Sequence, residues 1–313
     1  MRSHRPSRPC AARREVLRLL GAAPLAAALP AVGAASAPVL ARAIPSSGEA
    51  LPLVGLGSWI TFNVGPDPQA LAACTEVMRA FFAAGGRMID SSPMYGSSQA
   101  TIGHGLKQLR DAPVFSADKV WVSSGARGAA QVEASRRLWG VARWDLLQVH
   151  NLLAWEEHLP LLLRMKAAGQ LRYVGITTSE GRRHADIERI MRTQPIDFVQ
   201  VSYNLLDREV EQRILPLAAE RRIAVIANRP FREGALLDAL RRHALPGWAA
   251  EIGCDGWAQA ALKFIASHPA VTCAIPATTR VDHVLQNMGA ARGRMPDAGL
   301  RERMARDVRR LVG

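Results

Sequence analysis

Eight short runs of apolar, β-favouring residues recur along this chain, and this repetition restricts the possible fold more than any other feature of the sequence. Neighbouring runs are mostly about 25 to 35 residues apart, the length of one strand–helix unit. The runs cover residues 51–57, 87–90, 113–121, 145–151, 172–178, 197–204, 223–230 and 270–276. Segments with apolar residues at helical spacing lie between most of them, over residues 68–86, 155–170, 181–194 and 207–222. This alternation predicts an α/β protein with a (β/α)8 TIM barrel.

A doubly wound open sheet is the alternative fold for the same alternation of elements. That fold requires a glycine-rich phosphate turn between its first strand and a helix. The nearest stretch is GLGSWI at residues 55–60, which lacks the third glycine and has no helix directly behind it. The barrel is therefore favoured, and a short N-terminal hairpin with its turn at Ser47-Gly48 is expected to close its bottom.

Polar side chains stand at or near the carboxyl ends of the predicted strands, where TIM barrels carry their active groups. They are Asp90, Lys119, His150, Thr177, Thr178, Gln200 and Asn228. Any one of them alone is explained as a polar residue that merely ends a strand. The set as a whole indicates a functional site at the rim, the edge of the barrel where the strands end.

Four residues of this region are predicted to transfer a proton to the substrate. Tyr95 is a phenol with an ordinary pKa of about 10, so it needs a neighbouring ammonium to act as an acid at neutral pH. Lys119 is expected to supply that ammonium, and Asp90 to hold it in place. His150 is expected to orient the substrate oxygen or the phenol. Such a set protonates a carbonyl oxygen while hydride reaches the carbon.

The chain resembles the aldo/keto reductase superfamily from about Ile44 to Ala290. The resemblance rests on LPLVGLGSW, RMIDSSPMYGSSQATIGHGL, DKVW, WDLLQVHN, GQLRYVGITT and CAIPATTRVDHVLQNMGA, in this order. It implies a barrel that reduces aldehydes or ketones with NAD(P)H. It also implies that Asp90, Tyr95, Lys119 and His150 are the catalytic residues, with Tyr95 as the general acid.

The resemblance further implies a set of cofactor-binding residues along the same rim. Gly57 ends the first strand and Ser58 follows it, and Thr177, Thr178 and Gln200 match contacts of the nicotinamide carboxamide. Asn228 and Arg229 stand where an aromatic residue often stacks on the nicotinamide, and Arg229 is expected to contact the pyrophosphate or to lie flat against a ring.

The last strand–helix loop resembles the part of the family that binds the adenosine end of the cofactor. Thr278, Arg280 and His283 fall where a 2′-phosphate is held, and Gln286 and Asn287 where adenine is recognised. Ala277 replaces the usual lysine, so the loop carries less charge than in strong NADPH binders. NADPH is the expected cofactor, with NADH possible.

Aromatic and polar residues just beyond the strand ends are candidates for substrate contacts. They are Trp59, Trp121 and Asn151, together with Trp155. Only 26 residues follow Asn287, and they end in a basic amphipathic segment, so an open pocket is expected.

No metal site is predicted, because the histidines and cysteines lack ligand spacing. The chain also lacks the GxSxG motif of serine hydrolases.

The first 43 residues differ from the rest and predict an export leader. A basic stretch with Arg13-Arg14 precedes the apolar segment 16–40, which three prolines interrupt. This pattern is typical of a cleaved twin-arginine signal, and the prolines argue against a membrane anchor. We therefore expect the barrel over residues 44–313 of a periplasmic or otherwise exported protein. If the signal interpretation is wrong, a cytoplasmic location is expected.

The charge of the chain does not indicate a nucleic-acid partner. The net charge is +13, of which the leader carries six, and the remainder suits a phosphate-bearing small molecule equally well. Cys74, Cys254 and Cys273 have apolar neighbours and are predicted to be buried free thiols.

Two alternatives to an exported carbonyl reductase remain open at this stage. One is a regulatory barrel that binds the cofactor but turns over slowly or not at all. The other is a lyase that forms a Schiff base on Lys119. The partner is expected to be a small carbonyl compound, and the sequence leaves the substrate's identity and the oligomeric state open.

Overall fold

A computed structural model describes residues 37–313 of the chain. The predicted twin-arginine motif lies outside the described residues, as does most of the leader. The periplasmic location therefore stays a prediction.

Eight parallel strands form the predicted barrel. They are β3 (Leu56–Gly57), β4 (Met88–Asp90), β5 (Phe115–Val120), β6 (Trp144–His150), β7 (Leu171–Thr177), β8 (Phe198–Ser202), β9 (Ala224–Asn228) and β10 (Val271–Ala274). Each strand pairs with the next along the chain. Backbone hydrogen bonds from Gly55 to Ala274 and from Gly57 to Pro276 join the first strand to the last, so the sheet closes on itself.

The predicted hairpin precedes the barrel. Strand β1 (Ala41–Ala43) pairs antiparallel with β2 (Ala50–Pro52), and the amides of Ser47 and Gly48 donate to the carbonyl of Ile44 in the turn. The predicted first strand, residues 51–57, is thus divided between the hairpin and β3. Strand β1 also lies ahead of residue 44, where the barrel was expected to begin.

Helices surround the strands. They are α1 (Pro68–Ala83), α2 (Ser98–Gln108), α3 (Gly125–Trp139), α4 (Trp155–Ala167), α5 (His184–Thr193), α6 (Ile214–Arg221), α7 (Ala235–Leu240), α8 (Trp248–Glu251), α9 (Trp257–Ala266), α10 (Val281–Gly289) and α11 (Ala298–Val312). Short 3-10 helices cover Glu209–Glu211 and Arg232–Gly234. The helix predicted over 207–222 is therefore broken into a 3-10 turn and α6.

Two apolar cores result from the alternation of side chains along each strand. Phe115, Leu146, Tyr173 and Phe198 fill the barrel interior, and the aromatic rings of Phe115 and Tyr173 stack there. A larger core lies between the strands and the surrounding helices. The bottom of the interior is covered by the hairpin, where Glu49 accepts hydrogen bonds from Tyr173 and Arg172.

Residues after β9 depart from the regular repeat and hold α7, α8 and α9. Lys263 of α9 is buried and donates to the carbonyls of Ile252, Arg292 and Arg294 at 2.7–2.8 Å. This one ammonium satisfies three backbone acceptors and fixes the insertion to the segment before α11.

The three cysteines in the described part of the chain are free and buried, which confirms the prediction made for them. Between residues 37 and 313, no helix combines the length and the apolar character that crossing a bilayer requires.

Candidate active site

The four predicted catalytic residues come together at the carboxyl-terminal rim of the barrel. Asp90 ends β4, Lys119 lies near the end of β5, and His150 ends β6. These three strands are neighbours in the sheet, so residues about 30 positions apart in sequence lie side by side. Tyr95 follows in the loop between β4 and α2.

Lys119 and Asp90 form a buried ion pair. Nζ of Lys119 donates to Oδ2 of Asp90 at 2.5 Å and to the carbonyl of Ser91 at 2.8 Å. The lysine side chain is fully buried and the aspartate side chain is 3% exposed. Burial has the largest single effect and lowers the pKa of Lys119, but the neighbouring acidic groups, led by the carboxylate of Asp90, together raise it above its ordinary value. Lys119 is therefore an ammonium at neutral pH.

Tyr95 lies against both Lys119 and His150. Its ring centroid is 5.3 Å from Nζ of Lys119, and its ring meets the imidazole edge-on with 5.7 Å between centroids. Burial raises the pKa of the phenol, while the Lys119 charge lowers it and so limits the rise. The ammonium was expected to dominate, but burial has the larger effect. The phenol therefore keeps its proton at neutral pH, as a proton donor requires.

His150 is a neutral imidazole. Burial, reinforced by the charge of Lys119, lowers the pKa of His150 to about 3. Its Nδ1 lies 2.7 Å from Oγ of Ser92, a buried hydroxyl that the sequence analysis did not identify. The position of Ser92 within the Asp90–Tyr95 segment was visible in the sequence, but no pattern links it to a histidine 58 residues away.

The residues predicted to bind the carboxamide are bonded largely to one another. Gln200 donates its amide to Oδ1 of Asp90 at 3.0 Å, and its Oε1 accepts from Thr177 at 3.2 Å. Asn228 donates to the carbonyl of Thr178 at 3.0 Å. Gln148, which the sequence analysis also missed, lies 3.4 Å from the same aspartate oxygen. Gln200 thus links the proposed cofactor side of the rim to the ion pair.

Arg229 differs most from its predicted environment. Its guanidinium bonds to Glu180 at 2.9 Å and also to Glu233. Arg229 and both of these carboxylates line the cavity at the rim. The charge expected to meet a pyrophosphate is therefore paired with two acids contributed by separate loops. All three residues have a positive φ, which no pattern in the sequence indicated.

The loop after β10 carries the predicted phosphate-binding groups. Oγ1 of Thr278 lies 3.3 Å from Nδ1 of His283 and accepts the amide of Arg280 at 3.1 Å. The Arg280 guanidinium makes two hydrogen bonds to Asp282, at 3.0 and 2.6 Å. These bonds lower the pKa of the Asp282 carboxyl to about 2. Both side chains are exposed, so the pair is open to competition by another anion.

A cavity of about 530 Å³ lies at the rim and contacts most of the predicted site. The predicted residues that line it are Gly57, Ser58, Trp59, Asp90, Tyr95, His150, Asn151, Thr177, Gln200, Asn228, Arg229, Thr278, His283, Gln286 and Asn287. Lys119, Thr178, Trp121 and Arg280 lie outside the lining. Lys119 is covered by Tyr95, and Arg280 points to Asp282 on the surface.

Three exposed apolar side chains line the mouth of this cavity. Trp59, Ile60 and Met94 are 39%, 63% and 43% exposed, and they come from the loops that follow β3 and β4. Trp121, which is 39% exposed, follows β5 and lies outside the lining. The Trp121 ring lies 6.5 Å from the His150 ring. Trp155, by contrast, begins α4 and packs under Arg189, away from the cavity lining.

Asp118 lies on the opposite side of β5 from Lys119, because successive side chains of a strand point to opposite faces of the sheet. It is fully buried, and it accepts the amide of Lys119 and the side-chain amide of Gln99, both at 2.7 Å. Burial raises the pKa of Asp118 to about 7. This carboxyl has no cation as a hydrogen-bond partner within the described residues.

Among residues 37–313, no three metal-ligating side chains lie close enough together to hold a metal ion.

Comparison with known proteins shows the family. A model of the aldo/keto reductase family matches residues 53–301, so the chain belongs to this family of oxidoreductases. Methylglyoxal reductase YeaE of Escherichia coli (strain K12) is 28% identical over 254 residues, 79% of this chain and 88% of that protein. An NADH-specific methylglyoxal reductase of the same organism is 25% identical over 233 residues, 63% of this chain and 68% of the relative.

Solved structures show the same fold. An aldo/keto reductase from Klebsiella pneumoniae, in complex with NADP and acetate, has a TM-score of 0.71 at 24% identity. The match covers 83% of this chain and 93% of that one. The reductase AKR11C1 from Bacillus halodurans has a TM-score of 0.71 at 21% identity, over 88% of this chain and 97% of that one. The TIM barrel predicted from the sequence is thereby confirmed.

The titration of Asp118 makes a prediction about stability. In the unfolded chain an aspartate has a pKa of about 3.9, whereas in the folded protein the pKa of Asp118 is about 7. Between about pH 4 and pH 7 the folded protein therefore binds more protons than the unfolded chain. The Asp118 contribution to stability therefore decreases as pH rises through this interval. We expect Asp118→Asn, which cannot ionise, to gain stability relative to wild type over the same interval. Urea unfolding at several pH values measures this difference.

The matched control is Asp111→Asn, at an exposed position after α2. It is expected to keep the pH dependence of wild type. A stability difference between Asp118→Asn and wild type that stays constant from acid to neutral pH would contradict the raised pKa of Asp118.

Proposed function

We propose that the protein reduces an aldehyde or ketone to an alcohol with NADPH, with Tyr95 as the general acid. The observation that carries this proposal is the convergence of a protonated phenol, a buried ammonium–carboxylate pair and a neutral imidazole at one cavity. Relatives described as methylglyoxal reductases, and a neighbour that holds NADP, support the same reaction class.

The residues present fit a nicotinamide nucleotide. Thr278, His283, Gln286 and Asn287 line one part of the cavity, and they offer hydroxyl, imidazole and amide groups to the adenosine end. Near the four catalytic candidates, Thr177, Gln200 and Asn228 line the same cavity and offer hydroxyl and amide groups to the carboxamide end.

The proposed chemistry divides between the cofactor and this chain. A bound nicotinamide would supply hydride to the carbonyl carbon. Tyr95 donates its proton to the carbonyl oxygen, and Lys119 stabilises the phenolate that forms, because an ammonium favours a neighbouring anion. Asp90 keeps Lys119 in position and charged. His150 hydrogen-bonds the carbonyl oxygen and directs it towards the phenol.

The side chains at the mouth of the cavity indicate which substituents the carbonyl substrate carries. Trp59, Ile60 and Met94 present exposed apolar surface to the cavity that Tyr95 also lines. Burying such surface is favourable by about 25 cal/mol per Å², so an alkyl or aryl substituent gains affinity there. We therefore propose a carbonyl compound with an apolar substituent, larger than the methylglyoxal named for the bacterial relatives.

Tyr95→Phe tests the proposed general acid. We expect this variant to bind NADPH as wild type does, because the phenol has no part in holding the nucleotide. Turnover of carbonyl substrates should fall by at least about 100-fold, the usual contribution of a positioned acid. The measurements are NADPH binding by fluorescence and single-turnover oxidation of bound NADPH with a panel of aldehydes and ketones.

Tyr173→Phe is the matched control, since this phenol lies at the bottom of the barrel and bonds to Ser47 and Glu49. It is expected to keep wild-type turnover. Retained turnover in Tyr95→Phe would show that the proton comes from another group. A wild-type protein that binds NADPH but oxidises it with no carbonyl compound would instead support the regulatory barrel.

Arg280 and Asp282 test the proposed preference for NADPH. Arg280→Ala should weaken NADPH binding about 3- to 10-fold and leave NADH nearly unchanged, because only NADPH carries the 2′-phosphate. Asp282→Asn should shift NADPH affinity in the opposite direction, since it removes the anion that pairs with Arg280. Fluorescence titrations with both nucleotides measure these changes. Equal affinity of wild type for NADPH and NADH would contradict the assignment of this loop.

Trp59→Ala tests the proposed substrate class. We expect KM to rise about tenfold for an aldehyde with a phenyl or long alkyl group, and to change little for methylglyoxal. Steady-state kinetics with the two substrates provides the comparison. Leu138→Ala, at an exposed apolar position on α3, is the control and should affect neither. Equal effects of Trp59→Ala on both substrates would contradict an apolar contact.

A further inference from the structure

Ser92 occupies a fixed place beside the imidazole of the candidate site. It lies two residues after Asp90 and three before Tyr95, and it is fully buried. Within the described residues, its hydroxyl oxygen has two hydrogen-bonding neighbours. They are Nδ1 of His150 at 2.7 Å and the amide of Met94 at 3.2 Å.

The proton of the Ser92 hydroxyl has one acceptor in this arrangement. The Met94 amide is a donor only, so the hydroxyl oxygen accepts from it. The remaining neighbour, Nδ1 of His150, therefore receives the hydroxyl proton, because a buried donor without an acceptor is costly. If Nδ1 were protonated instead, two N–H groups would point at the same oxygen and the hydroxyl proton would have no partner.

The direction of this bond decides where the proton of His150 resides. A neutral imidazole carries one proton, on either Nδ1 or Nε2. The ring is neutral because burial, reinforced by the charge of Lys119, lowers the pKa of His150 to about 3. When Nδ1 accepts from Ser92, the single proton is on Nε2. Nε2 makes no hydrogen bond to any of residues 37–313, and His150 is part of the cavity lining.

We propose that Ser92 is a positioning residue that holds His150 as the Nε2–H tautomer, so that the ring donates a hydrogen bond into the cavity. The role of that donor in turnover rests on the proposed reductase function, whereas the tautomer itself does not.

The tautomer matters because the group it faces is the carbonyl oxygen of the substrate. Nε2–H donates to that oxygen and leaves the proton of Tyr95 free for transfer. An unprotonated Nε2 would repel the oxygen lone pairs and would accept a hydrogen bond from the phenol, whose ring lies 5.7 Å from the imidazole. The wrong tautomer would therefore divert the proton that the reaction needs.

The tautomer is measured directly by NMR. Two-bond proton–nitrogen spectra of the full chain with ¹⁵N-labelled histidine distinguish protonated from unprotonated ring nitrogens, and His150→Gln identifies the signals of His150. We expect Nε2–H in wild type at neutral pH and a mixture of tautomers in Ser92→Ala. A wild-type spectrum with Nδ1–H, or a Ser92→Ala spectrum identical to that of wild type, would overturn the proposal.

Turnover provides the second readout. Ser92→Ala should lower kcat/KM about tenfold, the usual effect of losing one buried hydrogen bond, while NADPH affinity stays unchanged. Ser92→Thr retains the hydroxyl and should restore the Nε2–H signal and most of the rate. Ser116→Ala removes a buried hydroxyl at the amino-terminal end of β5, far along the strand from Lys119. There the hydroxyl donates a hydrogen bond to Asp145. This control should alter neither the His150 spectrum nor kcat/KM.

The two readouts separate the possible failures. If wild type reduces no carbonyl compound, the proposed function fails, but the spectra still decide the tautomer. If wild type is active and Ser92→Ala loses the Nε2–H signal without losing rate, the tautomer is set by Ser92 but has no role in turnover, and the positioning role is overturned.

Discussion

The buried ion pair between Lys119 and Asp90 is the interaction on which the candidate site depends. Removing two charges from water is costly, and such a pair is stable only when further hydrogen bonds satisfy both partners. Here the carbonyl of Ser91 accepts from the ammonium, and Gln200 donates to the free carboxylate oxygen. The pair is neutral as a whole, yet it presents an ammonium to the Tyr95 ring. Loss of either partner would leave an uncompensated charge below the phenol.

The closed parallel sheet is what brings these groups together. Because β4, β5 and β6 are adjacent and parallel, their carboxyl ends meet at one rim. The period of the sequence predicted this arrangement, since six of the eight apolar runs carry a polar residue at or near their carboxyl end. Element boundaries were less predictable. The run 51–57 serves both the hairpin and β3, and the helical pattern of 207–222 is interrupted, because the spacing of apolar residues does not specify where pairing partners change.

The positions of the four central residues followed from the sequence, but several of their interactions did not. Arg229 forms ion pairs with Glu180 and Glu233, and all three residues have a positive φ. This conformation is uncommon for residues other than glycine, so no pattern in the sequence indicated it. The hydrogen bonds of Gln200 to Asp90, and of Ser92 to His150, join residues 110 and 58 positions apart. Motif spacing identifies which residues meet at the rim. The direction of each hydrogen bond emerges only when every buried donor and acceptor is assigned a partner.

The two parts of the cavity are stabilised in different ways. Around Asp90 and Lys119 the polar groups are buried and bonded to one another, so their geometry is fixed before any ligand binds. In the parts expected to bind phosphate, Arg229 and Arg280 are paired with carboxylates at more exposed positions. Solvent screens an exposed ion pair such as that of Arg280 with Asp282, so an incoming phosphate would exchange one anion for another at small cost. Under the proposed function, a nucleotide would bind and leave without disturbing the buried pair beside the phenol.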